Sequence, residues 1–214
     1  MASIDQSTTS TKFSVFLTTG ELVEQTILEH KQIVPKEGWL EHDPNEIIKN
    51  VHATIEQTVV KLAVKGYKAG DIRGVGVTNQ RETIVAWDAD TGQPLYNAIV
   101  WCDTRTVDIA EDFAKKHGDM KERVGLVASS YFSLFKILWL IHNVPIVKQK
   151  LESGKVRFGN IDTLVVYQLT GQYVTDASNA SRTFLYNLQG HWDEHLFKLA
   201  GLPMECMPKV VGSF

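Results

Sequence analysis

The N-terminal 27 residues predict three short strands joined by tight turns, and this stretch restricts the fold more than any other. An apolar segment ends at Ile4, residues 12–17 alternate between polar and apolar side chains, and residues 22–27 (LVEQTI) are typical of a strand that returns from a turn. A turn at residues 18–21, which contains Gly20, separates the last two strands. Strands joined by such short connections pair as an antiparallel meander.

A long amphipathic helix is predicted after the meander. Asp43 is a typical N-cap, Pro44 suits the first helical position, and Glu46 follows at the third. Gly66 ends the pattern. Apolar residues that recur at helical spacing, and that we expect to face the sheet, are Ile47, Ile48, Val51, Ile55, Val59, Leu62 and Ala63.

The rest of the chain mixes strands and helices. Residues 72–79 predict a strand buried in the centre of a sheet, and further strands are expected at 83–87, 98–101 and 156–159. Helical patterns cover 104–116, 134–142, 145–151, 163–169 and 192–199. A meander followed by mixed elements indicates the α/β class with a mixed sheet flanked by helices, and not a strict βαβ alternation. Neither common glycine-rich nucleotide loop occurs.

Composition excludes several classes of protein. The chain has 214 residues, enough for one large domain or two small ones, and is 43% hydrophobic with a net charge of −3, which argues against a nucleic-acid partner. Cys102 and Cys206 lack metal-ligand spacing and fit a reducing compartment. No run approaches the roughly 20 apolar residues of a membrane helix. We therefore expect a cytoplasmic protein.

The turn between the first two predicted strands carries phosphate-binding chemistry. Small hydroxyl residues at 7–11 lie between the carboxylate of Asp5 and the ammonium of Lys12. Backbone N–H groups, hydroxyls and a cation suit phosphates, and Asp5 could hold the Mg²⁺ that accompanies them. The alternative is a mobile N-terminal tail, which is commoner for such a sequence.

A second candidate site follows the strand at 72–79. Arg81 and Glu82 are adjacent opposite charges, and a polyol needs both a donor and an acceptor of hydrogen bonds. The alternative is a charge pair in a solvated turn. Trp101 offers a flat apolar wall and Tyr131 a hydroxyl, although core packing is the commoner role for both residue types. Asp162 and Asp176 fit N-cap or turn positions, and the seven histidines show no metal spacing.

Taken in order, these segments resemble the glycerol kinases of the FGGY carbohydrate kinase family. The matching segments are residues 5–10 (DQSTTS), 38–44 (GWLEHDP), 78–83 (TNQRET), 96–101 (YNAIVW), 131–133 (YFS) and 175–183 (TDASNASRT). The resemblance implies the actin-like, ribonuclease-H-like ATPase fold and covers residues 1–214 as the family's N-terminal domain. It also implies ATP-dependent phosphorylation of glycerol to sn-glycerol 3-phosphate, with ATP and Mg²⁺ as cofactors.

The resemblance assigns roles to individual residues. Asp5 is expected to help to hold Mg²⁺, and Thr8, Thr9, Ser10 and Lys12 to contact ATP. Arg81, Glu82 and Tyr131 are expected to bind the glycerol hydroxyls, and Trp101 to pack on the carbon chain.

Three departures from the family pattern concern side chains. Ser7 replaces a glycine, which would cost about 1 kcal/mol if that position needs positive φ. Lys12 stands where an arginine is usual, and the segment 133–136 (SLFK), which includes Leu134 and Phe135, places bulk where small residues are usual.

Another departure concerns length. The resemblance places the catalytic aspartate in a Gly-Asp-Gln stretch beyond Phe214, in or near a second domain, and the first strand is shorter than usual. We therefore expect the full-length parent to be a kinase and this chain alone to be inactive. One alternative is a kinase for another small polyol or sugar. Another is a non-catalytic fragment that forms homo-oligomers or associates with a full-length kinase. Association with the mitochondrial surface is the alternative to a purely cytoplasmic location.

Overall fold

The computed structural model describes residues 1–213, which divide into two compact units. The first unit contains Met1–Gln32 and His42–Gln80, and the second contains Ile33–Glu41 and the chain from Arg81 onward. No helix in the described range is both long and apolar enough to cross a membrane.

Ten strands and eight α-helices occur in the described residues. The strands are β1 (Ala2–Gln6), β2 (Ser10–Phe16), β3 (Leu22–Glu29), β4 (Glu41–His42), β5 (Val75–Asn79), β6 (Ile84–Asp88), β7 (Ala98–Ile99), β8 (Val156–Asn160), β9 (Val174–Asp176) and β10 (Lys209–Val211). The helices are α1 (Pro44–Val64), α2 (Val107–His117), α3 (Lys121–Val124), α4 (Ser133–Asn143), α5 (Pro145–Glu152), α6 (Ile161–Thr170), α7 (Ala177–Ala180) and α8 (Glu194–Ala200).

The first unit contains a mixed four-stranded sheet in the order β3-β2-β1-β5. β1 and β3 both pair with β2 in antiparallel register, which confirms the predicted meander, and β5 lies parallel to β1. The prediction of a central strand at 72–79 is wrong for the described residues. β5 lies at the edge of this sheet, and Val75 is 51% exposed, because none of the described strands pairs with its other side.

α1 follows the predicted cap and buries Ile47, Val51 and Leu62 as predicted, but its other buried residues differ from the predicted set. The Asp43 carboxylate accepts a hydrogen bond from Asn45 N at 2.8 Å, as an N-cap does. The buried residues of the helix are Pro44, Ile47, Asn50, Val51, Thr54, Thr58 and Leu62. Thr58 Oγ1 donates to Thr26 Oγ1 of β3 at 2.9 Å, so the helix face against the sheet is partly polar. The helical pattern of apolar residues therefore wrongly predicted that Ile55, Val59 and Ala63 would be buried against the sheet.

The second unit contains a sheet in the order β4-β7-β6-β8 and a parallel pair, β9 and β10. β6 is buried along its whole length and pairs in antiparallel fashion with β8. Leu134 and Phe135 of α4 are fully buried in the core of this unit. These large side chains, which differ from the small residues of the family pattern, therefore pack inside the unit.

A buried ion cluster fixes residues 33–41 within the second unit. The Arg105 guanidinium is fully buried, binds Asp103 at 2.7 Å and Glu41 at 2.8 Å, and lies 3.7 Å from the ring centroid of Trp39. Burial acts to lower the pKa of Arg105, but its two carboxylate partners outweigh burial and raise it. Every charge here has a partner, as a buried charge requires.

Candidate functional site

The predicted phosphate turn is a two-residue hairpin between β1 and β2. Ser7 N donates to Ser10 O at 2.9 Å, and Ser7 Oγ donates to the same carbonyl at 3.0 Å. Among the described non-glycine residues, positive φ occurs at Glu82 and Phe184, so Ser7 is not in the left-handed region. The serine therefore causes no backbone strain. The turn is a paired hairpin, which excludes the mobile-tail alternative.

Asp5 and Lys12 lie opposite each other in the register of β1 and β2. Lys12 Nζ is 3.6 Å from Asp5 Oδ2, and each side chain is about a third exposed. No group of three or more His, Cys, Asp or Glu residues in the described part of the chain could hold a metal on its own. One accessible carboxylate nevertheless fits the way Mg²⁺ binds, through one or two carboxylates together with substrate phosphates.

Two histidines beside this turn were missed in the sequence. His30 is 6% exposed and His42 is fully buried, with ring centroids 4.5 Å apart. Burial lowers the pKa of His42 to about 3 and also lowers that of His30, so both imidazoles are neutral near pH 7. Their spacing in the sequence gave no signal, because they act through hydrogen bonds to the backbone and to glutamines and not through metal ligation.

Glu82 is the centre of the candidate site in the second unit. Its carboxylate is 3% exposed and accepts a hydrogen bond from Arg182 Nε at 2.5 Å. Its φ is +61°, an uncommon value for a non-glycine residue. Ser133 Oγ donates to Glu82 O at 3.1 Å, and Asn160 Nδ2 donates to Ser133 Oγ at 2.9 Å. These bonds hold the backbone in a conformation that costs of order 1 kcal/mol.

Arg182 is a candidate site residue that the residue-by-residue interpretation missed. It lies in a 3₁₀ helix, Ser181–Thr183, directly after α7. Asp176 caps α7 by accepting from Asn179 N at 2.9 Å, which confirms its predicted capping role. The signal was the segment 175–183, which carries the family resemblance, but nothing in the sequence showed that its arginine reaches a glutamate 100 positions earlier.

Arg81 is not the partner of Glu82. Its side chain is exposed, and no ion pair joins it to a carboxylate among residues 1–213. The neutralising pair expected from two adjacent charges is therefore Glu82 with Arg182. Arg81 remains available to a ligand from solvent.

The two aromatic candidates are brought together. The rings of Trp101 and Tyr131 meet edge to face with centroids 5.6 Å apart, and both residues are half-buried. Arg182 lies over the rings of Tyr131 and Phe132, at 5.5 and 5.0 Å from their centroids. Because Trp101 and Tyr131 are not fully buried, core packing alone does not describe them.

Lys136 holds the backbone next to the cluster of Trp101, Tyr131 and Arg182. Its side chain is fully buried in the first turn of α4, and Nζ donates to Ser130 O at 2.6 Å and to Tyr131 O at 2.8 Å. Burial lowers the pKa of Lys136 to about 7, an effect that the charges of Asp103 and Glu82 partly oppose. The lysine therefore fixes the backbone that carries Tyr131.

Asp162 is not an N-cap. It lies in the first turn of α6 and accepts from Thr175 Oγ1 at 2.6 Å, while its Oδ1 is buried without a hydrogen-bond partner. Burial raises the pKa of Asp162 to about 6. Asp162 is therefore a buried structural residue.

Comparisons with known proteins identify the family. Residues 1–214 match the N-terminal domain of the FGGY family of carbohydrate kinases. A probable glycerol kinase of Caenorhabditis elegans is 44% identical over 220 residues, which cover 100% of this chain and 44% of that protein. A glycerol kinase of Brucella anthropi is 44% identical over 221 residues, with the same coverage.

Solved structures agree with these relatives. The crystal structure of Plasmodium falciparum glycerol kinase with ADP has a TM-score of 0.93 and 41% sequence identity, and the match covers 98% of this chain and 42% of that one. A xylulose kinase from Rhodospirillum rubrum has a TM-score of 0.88 at 22% identity, which supports the fold alone. The actin-like fold predicted from the sequence is therefore confirmed.

The chain spans less than half the length of the relatives it matches. Its sequence matches over that span without a long unmatched segment, and the structure matches over 98% of it. The chain belongs to the FGGY family of carbohydrate kinases, and it corresponds to that family's N-terminal domain.

Proposed function

We propose that this chain is the glycerol-binding part of a full-length kinase that phosphorylates glycerol with ATP to give sn-glycerol 3-phosphate. The observation that carries this proposal is the cluster of Glu82, Arg182, Tyr131 and Trp101, in a chain 44% identical to glycerol kinases. A small polyol needs an acceptor, donors and an apolar wall, and this cluster supplies all three. The carboxylate is neutralised by Arg182, which favours an uncharged ligand over a cation.

Each candidate residue has a role in this proposal. Glu82 accepts a hydrogen bond from a glycerol hydroxyl, Arg81 and the Tyr131 hydroxyl donate to glycerol oxygens, and Trp101 covers the carbons. Thr8, Thr9, Ser10 and Lys12 contact the ATP phosphates, and Asp5 is a ligand of Mg²⁺. The bound Mg²⁺ supplies charge neutralisation on the phosphates. Phosphoryl transfer requires mainly such positioning and charge stabilisation from the protein.

We assign no catalytic base within this chain. The resemblance assigns that role to an aspartate in a Gly-Asp-Gln stretch, which the 214 residues lack. We therefore expect ligand binding, but little or no turnover, from these residues alone. A coupled assay on the purified chain that gives turnover well above background would contradict this expectation.

Calorimetric titration with glycerol, erythritol and xylulose tests the substrate class. We expect glycerol to bind most tightly, Glu82→Gln to weaken glycerol binding about tenfold or more, and an exposed control, Lys115→Met, to leave it unchanged. Tighter binding of xylulose or erythritol would favour a kinase for another polyol. Absence of saturable binding by any of the three would favour the non-catalytic alternative.

A further inference from the structure

The backbone carbonyl groups of the β1–β2 turn, at Ser7, Thr8 and Thr9, all accept hydrogen bonds from residues of the first unit. Ser7 O accepts from Gln6 Nε2 at 3.1 Å and from Gln80 Nε2 at 3.2 Å. Gln6 is fully buried and Gln80 is 7% exposed, so this carbonyl is held from the interior of the unit.

The next two carbonyl groups are held in the same way. Thr8 O accepts from His30 Nε2 at 2.9 Å and from Gln32 Nε2 at 3.0 Å. Thr9 O accepts from the backbone N of His30 at 3.2 Å. Three consecutive peptide carbonyl groups are thus held by hydrogen bonds from residues outside the turn.

Because peptide bonds are planar, the hydrogen bonds to these carbonyl groups also fix the directions of the neighbouring N–H groups, which can bind an anion. No cis peptide bond occurs in the described residues, and in a trans peptide the N–H points opposite to the preceding C=O. The N–H groups of Thr8, Thr9 and Ser10 therefore point away from the residues that hold the carbonyls. Successive N–H groups that face one side form a concavity for anions. A flip of any of these peptides would place a carbonyl oxygen there instead.

The hydrogen bonds determine which imidazole nitrogen carries the proton. His30 Nε2 faces a carbonyl oxygen, so it is the donor, and His30 Nδ1 is buried without a hydrogen-bond partner. Gln32 donates through Nε2, so its Oε1 accepts from His42 Nε2 at 2.9 Å. His42 Nδ1 lies 3.3 Å from Gln80 Nε2, whose two N–H groups are shared with Gln6 Oε1 at 3.0 Å and Ser7 O at 3.2 Å. Both rings are neutral and protonated at Nε2.

The charged groups near these rings are few. Glu46 acts to raise the pKa of His30, and its carboxylate accepts from Lys31 N at 3.2 Å, while His30 acts to lower the pKa of His42. A protonated His42 would turn an N–H toward the Gln80 amide, which is itself a donor in this contact. Neutral rings are therefore required to complete the network.

We propose that His30 and His42 are positioning residues for nucleotide binding, which hold the turn so that its N–H groups face the phosphates of ATP. This inference rests on the proposed function, because it takes the nucleotide as the ligand of the turn. His30 acts on the turn directly, and His42 acts through the orientation of Gln32 and Gln80. Neither imidazole touches the ligand.

The first experiment examines the unliganded protein. Long-range ¹H–¹⁵N correlation spectra should show both rings as neutral Nε2–H tautomers at pH 7. An Nδ1–H tautomer in His30, or a charged ring in either residue, would overturn the inference. Amide exchange at Ser7, whose N–H donates to Ser10 O across the turn, should accelerate in His30→Phe more than exchange in the helix α1, which separates a local effect from a global one.

The second experiment titrates variants with Mg·ATP and, separately, with glycerol. We expect His30→Phe and His42→Phe to weaken Mg·ATP binding about tenfold, and His30→Gln, which retains a donor near the Nε2 position, to restore most of it. Glycerol affinity should change less than about twofold in all of them. A general loss of folding would instead weaken both ligands together.

An exposed pair of variants covers the case in which a phenylalanine variant does not fold. Gln32→Ala removes one donor to Thr8 O from an exposed position, and Gln57→Ala on α1 is its matched control. Weaker Mg·ATP binding in Gln32→Ala alone supports the inference, and equal affinities within twofold contradict it. Wild-type protein that binds glycerol but shows no saturable Mg·ATP binding would contradict the nucleotide half of the proposed function, and the inference with it.

Discussion

Replacing Arg182 with methionine tests whether this residue is the structural partner of Glu82. The Glu82 carboxylate is 3% exposed, and its side-chain hydrogen bond to Arg182 Nε measures 2.5 Å. Methionine keeps most of the aliphatic length that packs near Tyr131 and Phe132 but removes the guanidinium. The variant therefore leaves a buried carboxylate without its cation.

The expected magnitude follows from the burial of the two groups. Removing one partner of a fully buried ion pair costs about 3–5 kcal/mol, because the remaining charge has no compensation. Arg182 is 27% exposed, so water can approach Glu82 in the variant and reduce that cost. We expect Arg182→Met to lower the free energy of unfolding by about 2 kcal/mol at pH 7.

The assay is urea unfolding followed by circular dichroism, combined with a double-mutant cycle. Glu82→Gln in the Arg182→Met background should recover part of the loss, with a coupling energy of about 1 kcal/mol or more. Arg81→Met is the matched control, since its exposed arginine has no carboxylate partner in the described chain, and it should change stability by less than about 0.5 kcal/mol. Equal effects of the two arginine variants, or a coupling energy near zero, would refute the reasoning.

Three further predictions concern stability and use urea unfolding as the measurement. The pKa of Asp162 is raised to about 6, so the unfolded chain binds fewer protons than the folded one between about pH 4 and 6, and stability falls as the pH rises. Asp162→Asn should remove that fall and gain about 1–2 kcal/mol at pH 7, and an unchanged pH profile would contradict it. Ser7→Gly should lose about 0.5–1 kcal/mol, because Ser7 has no positive φ to relieve and donates to Ser10 O, whereas a gain would indicate strain. Gly159→Ala should lose about 1–3 kcal/mol, since an added Cβ would lie 2.7 Å from a neighbouring side chain, and a neutral result would show that β8 can move.

Local sequence chemistry predicted the elements that depend on neighbours in the chain. Asp43 and Pro44 located the start of α1, and the short turns located the meander, because capping and hairpin formation involve residues a few positions apart. The face of α1 could not be predicted in the same way. Thr54 and Thr58 are buried because β3 offers Thr26 as a partner, which is a property of the sheet.

In the candidate site, too, local motifs were predicted from the sequence and contacts between distant residues were not. Glu82, Trp101 and Tyr131 were predicted from motifs, and the structure brings the two aromatic rings together. Arg182 was not predicted, because its pairing with Glu82 depends on the path of the chain through α6 and α7. The histidines beside the phosphate turn were missed because His30 bonds to a backbone oxygen and His42 to glutamine side chains, and neither contact has a sequence signature.

The left-handed backbone at Glu82 limits what a mutational library at this position can yield. Glycine, asparagine and aspartate tolerate φ near +61°, so they are the substitutions most compatible with expression of folded protein. Of these, only aspartate keeps a carboxylate, and it is one methylene too short to reproduce the contact with Arg182. Selection for abundance and selection for ligand capture should therefore enrich different amino acids at codon 82, with glutamate recovered only under the second.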